Sequence, residues 1–235
     1  MTNRQAAIQI VKRLWDAGFE AMLAGGCVRD MLLKRKPKDY DVATDATPDD
    51  VAKLFRRTLK VGAKFGVVVV LIDKIQIEVA TFRTESGYAD GRHPSKVHFS
   101  NPREDAARRD FTINAMFFDP IAKKVIDYYK GQADLKKRII RTVGKPAERF
   151  GEDYLRMLRA VRFSAQLGFK IEPKTKSAIC AGAKNITKIS GERISAELEG
   201  ILVSPNRAQG IKLLIETGLA EFIFPGFCCS CSEAG

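Results

Sequence analysis

Three carboxylates and a set of arginines have the types and spacing that chemistry requires. Asp39 and Asp41 lie one residue apart in "KPKDYDVATD". On a strand, positions i and i+2 project to one side. Two carboxylates held there repel each other unless a cation lies between them. Magnesium resolves the conflict, because it takes a few carboxylates together with phosphate oxygens. An exposed acidic pair on an edge strand is the plainer alternative. Glu78, in "QIEVATFR", sits between apolar neighbours on a strand expected to be central. A buried glutamate without a partner is expensive. Beside the Asp39–Asp41 strand, it would complete a three-carboxylate cage for two metals. Such a pair activates an attacking hydroxyl and stabilises a leaving phosphate. Pairing of Glu78 with a lysine is the alternative.

Other segments offer groups for an anion and a base. In "LAGGCVRD", Gly25 and Gly26 end a strand and feed a helix. Bare backbone N–H groups and the positive helix end favour a phosphate there. Arg29, one turn on, can grip the same anion with two hydrogen bonds. An ordinary glycine turn is the alternative. "RRDFTIN" holds Arg108, Arg109, Asp110 and Asn114 within seven residues. These suit an arginine on phosphate and an aspartate on a ribose hydroxyl, or else a capped, charged helix face. In "EDYLRMLRAVR", Asp153, Arg156, Arg159 and Arg162 recur every three residues. At about 100° per residue, each step drifts by about 60°, giving a slanting polar stripe. Tyr154, Leu158, Val161 and Ala165 form the opposite face. Asp153 and Arg156 are neighbours that together offer an acceptor and donors to a base edge. Arg159 and Arg162 lie further round and suit phosphate. A salt-bridge ladder worth a few tenths of a kcal/mol per pair is the alternative.

The elements that must hold these groups follow from periodicity and punctuation. Residues 4–17 read as a helix, 20–26 as a strand ending in the glycine turn, and 27–35 as a helix stopped by Pro37. "DYDVATD" reads as a strand. Thr47, Pro48 and two acids open a helix in "TPDDVAKLFRR". "GVVVVLI" and "IQIEVATFR" form a hairpin through "DK", and "MFFDP" and "KVIDYY" form another. "GYADGRHPSK" is a polar loop, and "PREDAARRDFTINA" reads as one helix. From "PAERFGEDYLRMLRAVRFSAQLG", read as one long helix, the rest of the chain is helical. The pattern predicts an α+β fold. Residues 1–144 form a head with a small mixed sheet flanked by helices, and 145–235 form an all-helical neck.

Bulk composition narrows the partners. The chain has 235 residues, 45% of them hydrophobic, so it can bury a real core. Forty basic residues against 28 acidic ones give a net charge of +12, which suits a polyanion: nucleic acid, nucleotide or an anionic membrane. No apolar run reaches the roughly 20 residues a membrane span needs. The N-terminus reads as an amphipathic helix rather than a signal peptide, so a cytoplasmic location is expected. Five cysteines, with Cys228, Cys229 and Cys231 bunched at the end, do not make a disulfide framework. Zinc at "CCSC" is disfavoured, since a structural site needs about four well-spaced ligands.

"GGCVRDMLLKRKPKDYDVAT", "EVATFR", "YADGRHP", "RRDFTINAM", "EDYLRMLRAVRF" and "ERISAEL" occur together and in order. They resemble successive motifs of the class II tRNA nucleotidyltransferase and bacterial poly(A) polymerase family, within the DNA polymerase β-like nucleotidyltransferases. The resemblance implies that Gly25, Gly26 and Arg29 hold a triphosphate. It implies that Asp39 and Asp41 bind Mg²⁺, with Glu78 as the third catalytic carboxylate. Arg109 and Asp110 would contact the nucleotide's phosphate and ribose. Asp153 and Arg156 would pair with the base of ATP or CTP, with Arg159 and Arg162 as further nucleotide contacts. Glu192 and Arg193 would play a structural role. The implied reaction adds CMP or AMP to the 3′ end of tRNA and releases pyrophosphate, with no obligate protein partner. A poly(A) polymerase or a non-catalytic nucleotide- or RNA-binding fragment are the other readings. The family's poly(A) polymerases tend to carry a basic-aromatic segment before the third acid. Here it reads "GAKFGVVVV", which favours the tRNA enzyme. The family usually continues well past the length of this chain, so a truncated C-terminus is expected.

Overall fold

The computed structural model describes residues 1–62, 65–88 and 94–226. His93 and the cysteines at 228, 229 and 231 lie outside the described residues. Cα packing divides the chain into two compact units, with the break in the main chain between Leu135 and Lys136. Among the described residues, no helix is long and apolar enough to cross a membrane.

The first unit is built on a seven-stranded mixed sheet, in the order β3 (Thr58–Gly62), β4 (Val67–Ile72), β5 (Ile75–Thr81), β2 (Asp41–Thr44), β1 (Ala21–Ala24), β8 (Met116–Asp119) and β9 (Lys124–Asp127). Helix α1 (Asn3–Asp16) opens it, with Thr2 and Gln5 closing a capping box. It buries Ala6, Ala7, Ile10, Val11 and Leu14, one helical face. Strand β1 (Ala21–Ala24) runs into α2 (Gly26–Leu32), and β2 (Asp41–Thr44) pairs antiparallel with β1. The second helix stops short of the predicted Arg35. Leu33 caps it and Lys34 turns left-handed at φ 55°. Thr47 caps α3 (Pro48–Leu54) through a box with Asp50, as its sequence predicts.

Helix α3 stops three residues short of the predicted Arg57, and strand β3 (Thr58–Gly62) follows. Strands β4 (Val67–Ile72) and β5 (Ile75–Thr81) form the expected hairpin through Asp73 and Lys74. The β5 strand then pairs parallel with β2, Val42 opposite Val79. That one parallel pairing places the two acid-bearing strands side by side. Strands β8 (Met116–Asp119) and β9 (Lys124–Asp127) form the second expected hairpin.

Two strands that composition hides, β6 (Arg83–Tyr88) and β7 (Pro94–Phe99), make a separate two-stranded sheet. Gly, His and Pro in this stretch dilute the alternation that marks a strand. "PREDAARRDFTINA" is not one helix. Helix α4 (Pro102–Ala107) ends at Arg108, and a 3-10 turn (Thr112–Asn114) follows. Phe82 and Phe117, both fully buried, meet edge to face at 5.8 Å in the core.

Helix α5 (Gly131–Lys137) spans the break between the units. In the second unit, β10 (Ile139–Ile140) pairs with β11 (Lys170–Ile171), and the other elements described after Ile140 are helices. The predicted long helix is two: α6 (Pro146–Glu152) and α7 (Leu155–Leu167). Asp153 breaks it with an extended backbone, φ −150° and ψ 107°. Its side chain accepts from the Leu155 N–H, at the start of α7, at 3.1 Å, while Tyr154 takes the N-cap position. Leu158, Val161 and Ala165 are buried while Tyr154, expected on the same buried face, is half-buried, and Gly168 ends α7 left-handed. Helices α8 (Pro173–Gly182), α9 (Gly191–Leu202), α10 (Arg207–Glu216) and α11 (Leu219–Ile223) complete the unit.

Candidate active site

In the first unit the acids gather where β2 and β5 run in parallel. Asp41 and Glu78 each stand one residue before the Val42–Val79 rung. Burial pushes the Asp41 carboxyl up to about 6, and the negative charges of Glu78 and Asp39 add to this, while Arg109 opposes it. Asp41 therefore stands within electrostatic reach of all three. Three expectations need correction. Asp39 precedes the strand rather than lying on it, so strand pleating does not align it with Asp41. It is exposed, whereas Asp41 is half-buried. Glu78 is exposed, not buried. Its neighbours Ile77 and Val79 enter the core, and the two-residue period of a strand then forces Glu78 outward. Among the described residues, no three acidic, histidine or cysteine side chains are grouped so that they could hold a metal ion, so the expected three-carboxylate cage is not formed.

The glycine turn and the arginines lie around these acids. Gly25 has φ +73°, a conformation that glycine adopts without strain. A Cβ on Gly25 would stand 2.8 Å from Nη1 of Arg109, so the missing side chain also makes room for that guanidinium. Arg109 Nη1 donates to the Asn114 carbonyl at 3.2 Å, and its guanidinium lies 4.9 Å from the Phe117 ring centre. Arg29 donates through Nη1 to Oδ1 of Asn114 at 2.8 Å and pairs with Asp30. Asn114 in turn donates to Asp110 Oδ1 at 3.1 Å, and the Phe111 N–H donates to the same oxygen at 2.7 Å. Arg29, Arg109, Asp110 and Asn114 are thus one hydrogen-bonded group. Cys27 is a bystander: burial pushes its thiol up to about 11, so it stays protonated at neutral pH.

In the second unit the arginine stripe is only partly brought together. Asp153 Oδ2 accepts from Arg193 Nη2 at 2.9 Å. Arg156 Nη1 instead donates to Glu152 Oε2 at 2.6 Å and to the Arg149 carbonyl at 3.1 Å. The helix break at Asp153 therefore overturns the helical-wheel argument that seated the pair on one helix face. Arg162 donates to Glu197 at 2.6 Å and to Gln166 at 3.1 Å, and both Arg159 and Arg162 lie over the Phe163 ring. Gly200 lets Arg162 approach, since a Cβ there would be 2.5 Å from its Cδ.

Sequence reasoning missed Asp105 and Glu152. Each lies four residues before an arginine of the site, the i,i+4 spacing of helical ion pairs, so a signal was present.

Residues 21–141 match the family described as the Poly A polymerase head domain. Residues 168–230 match one described as a probable RNA and SrmB-binding site of polymerase A. The CCA-adding enzyme of Bacillus subtilis is 47% identical over 222 residues, covering 94% of this chain and 55% of the relative. That of Lactobacillus johnsonii is 45% identical over 223 residues, covering 94% of this chain and 56% of the relative. The chain thus spans about half the length of the curated relatives it matches. Among solved structures, the Bacillus stearothermophilus CCA-adding enzyme in complex with CTP superposes with a TM-score of 0.88 at 42% identity, covering 97% of this chain and 55% of that one. The Thermotoga maritima CCA-adding enzyme complexed with tRNA gives 0.79 at 26% identity, covering 94% and 52%.

Proposed function

The chain belongs to the Poly A polymerase head domain family, and from that premise we propose that it transfers CMP or AMP from CTP or ATP to the 3′ end of tRNA. The observation that carries this reading is the placing of Asp41 and Glu78 side by side on the parallel β2–β5 pair, with Asp39 and Arg109 within electrostatic reach of Asp41. The relatives named CCA-adding enzymes support it as the choice of reaction.

The transfer joins the RNA 3′ oxygen to the α-phosphorus and breaks the bond to the β-phosphate oxygen, releasing pyrophosphate. Catalysis of this kind is mostly positioning and charge neutralisation. The donor set suits a hard divalent cation: half-buried Asp41 is pushed up first by burial and then by the carboxylates of Glu78 and Asp39, and a cation between them relieves that repulsion. Asp39 and Asp41 would hold Mg²⁺, with Glu78 beside them, and the bound metal supplies an activated hydroxyl and stabilisation of the leaving oxygen. Gly25, Gly26 and Arg29 bind the triphosphate. Arg109 contributes positive charge to the phosphates, and Asp110 accepts from a ribose hydroxyl. Asp153 and Arg156 read the base, with Arg159 and Arg162 near it, and Arg193 holds the Asp153 carboxylate in place. The net charge of +12 favours RNA held through its backbone.

The test is incubation with tRNA lacking its 3′ CCA, Mg²⁺ and labelled CTP or ATP. Limited incorporation of C and then A is expected. A long A-tail with no C incorporation would replace this reading with a poly(A) polymerase. Nucleotide binding without incorporation would replace it with a binding module.

A further inference from the structure

The most buried carboxylate near this site takes no part in the proposed chemistry. Asp105, on α4, has a side chain only 2% exposed. Its two oxygens are divided between two arginines. Oδ1 accepts from Arg108 Nε at 2.9 Å and, at 3.4 Å, from the Arg83 N–H. Oδ2 accepts from both Nε and Nη2 of Arg109, at 3.2 and 2.9 Å. Burial pushes this carboxyl up, but Arg109 and then Arg108 outweigh it, and the group ends below its ordinary value. Arg108 has a second acid in Glu85 Oε1 at 3.1 Å, and Glu85 also takes Arg83 at 2.8 Å.

The consequence lies in where Arg109 is left pointing. Two hydrogen bonds from one edge of the guanidinium to a single fixed oxygen set its direction. Its other nitrogen, Nη1, is thereby aimed at the Asn114 carbonyl and over Gly25. The same guanidinium lowers the pKa of Asp41. An arginine on a flexible stem loses rotamer freedom when it binds an anion, and fixing it beforehand removes that cost.

We infer that Asp105 is a positioning residue that holds Arg109 over the glycine turn, ready for the nucleotide's phosphates. This rests on the proposed nucleotide-binding role of the head. Asp105 touches no substrate and acts only through Arg109.

The experiment is a double-mutant cycle on CTP affinity, measured by calorimetry in Mg²⁺ with Asp105→Asn, Arg109→Gln and the combination. Thermal melting checks that each variant is folded. Asp105→Asn should weaken CTP binding by about tenfold, the scale of a lost charge-assisted contact. In the Arg109→Gln background the same change should alter affinity by less than about twofold, since nothing remains for it to position. If Asp105→Asn does not fold, Asp105→Asn with Arg108→Gln removes the stranded cation as well and is compared with Arg108→Gln alone. Unchanged CTP affinity in a folded Asp105 variant overturns the inference. So does an equal loss in both Arg109 backgrounds. Failure of the unsubstituted chain to bind CTP overturns both the inference and the proposed function. Normal CTP binding without incorporation overturns only the proposed reaction, and the cycle still decides the role of Asp105.

Discussion

Arg29 and Asn114, 85 residues apart in sequence, are joined by a hydrogen bond of 2.8 Å between Nη1 and Oδ1. Asn114 spends its amide on Asp110 at 3.1 Å, so one asparagine orders both an arginine and an aspartate of the site. The carboxamide is matched on both sides, donor to acceptor and acceptor to donor. Asn114→Ala should weaken CTP binding about tenfold and lower stability by about 1–3 kcal/mol, because a buried aspartate loses a donor. Asn114→Asp should be worse for Asp110, which would face a second acceptor. Calorimetry and thermal melts measure both.

Gly25 and Gly26 should respond differently to alanine. At Gly25, φ +73° and the 2.8 Å approach to Arg109 both oppose a side chain. Gly25→Ala should cost about 1–3 kcal/mol for the backbone alone and displace Arg109. At Gly26 the new Cβ would meet Arg29 at 3.7 Å, an ordinary contact, inside a helix. Gly26→Ala should fold at least as stably as the parent. Urea unfolding of the two variants separates them.

The pH dependence of stability should carry the mark of Asp41. Its carboxyl, ordinarily at 3.8, is pushed up to about 6 in the fold. Between those values the folded chain keeps a proton that the unfolded chain has lost. Stability from this group is therefore present below the lower value and is lost as pH rises through the window. Asp41→Asn should raise the melting temperature of the metal-free chain at pH 8, by the equivalent of at most about 3 kcal/mol. The gain should shrink as pH falls and vanish below pH 4. Melting curves from pH 3 to 8 test this, and a gain independent of pH contradicts it.

Arg193 should control base choice more than affinity. It holds the Asp153 carboxylate at 2.9 Å, while Arg156 is occupied by Glu152. Arg193→Ala should change the ratio of CTP to ATP incorporation by roughly fivefold, the scale of one hydrogen bond. Triphosphate affinity itself should move less. Competition between the two nucleotides in one reaction gives the ratio directly.

Much of this site was legible in the chain. The turn at Gly25 and Gly26, the β4–β5 hairpin and the capped helix at Thr47 all follow from local rules, and all are found. What failed was inference about sides and breaks. Glu78 looked buried because its neighbours are apolar, yet alternation along β5 turns it outward. Asp153 and Arg108 lie where apparent helices end, and a helix end is set by capping that competes with periodicity. The Asp105 fork was readable as an i,i+4 spacing, but only burial shows that it is more than a surface pair. The parallel pairing of β2 with β5 depends on the whole sheet, and no local pattern contains it.

The central claim is that the carboxylates at the start of β2 and in mid-β5 perform nucleotide transfer. Its most direct test is the single-turnover rate of CMP addition to tRNA lacking its 3′ CCA, by the unsubstituted chain and by Asp41→Ala at saturating CTP and Mg²⁺. The account predicts incorporation by the first and a fall of about a thousandfold in the second, equivalent to about 4 kcal/mol of barrier. A rate in Asp41→Ala equal to that of the unsubstituted chain would contradict it.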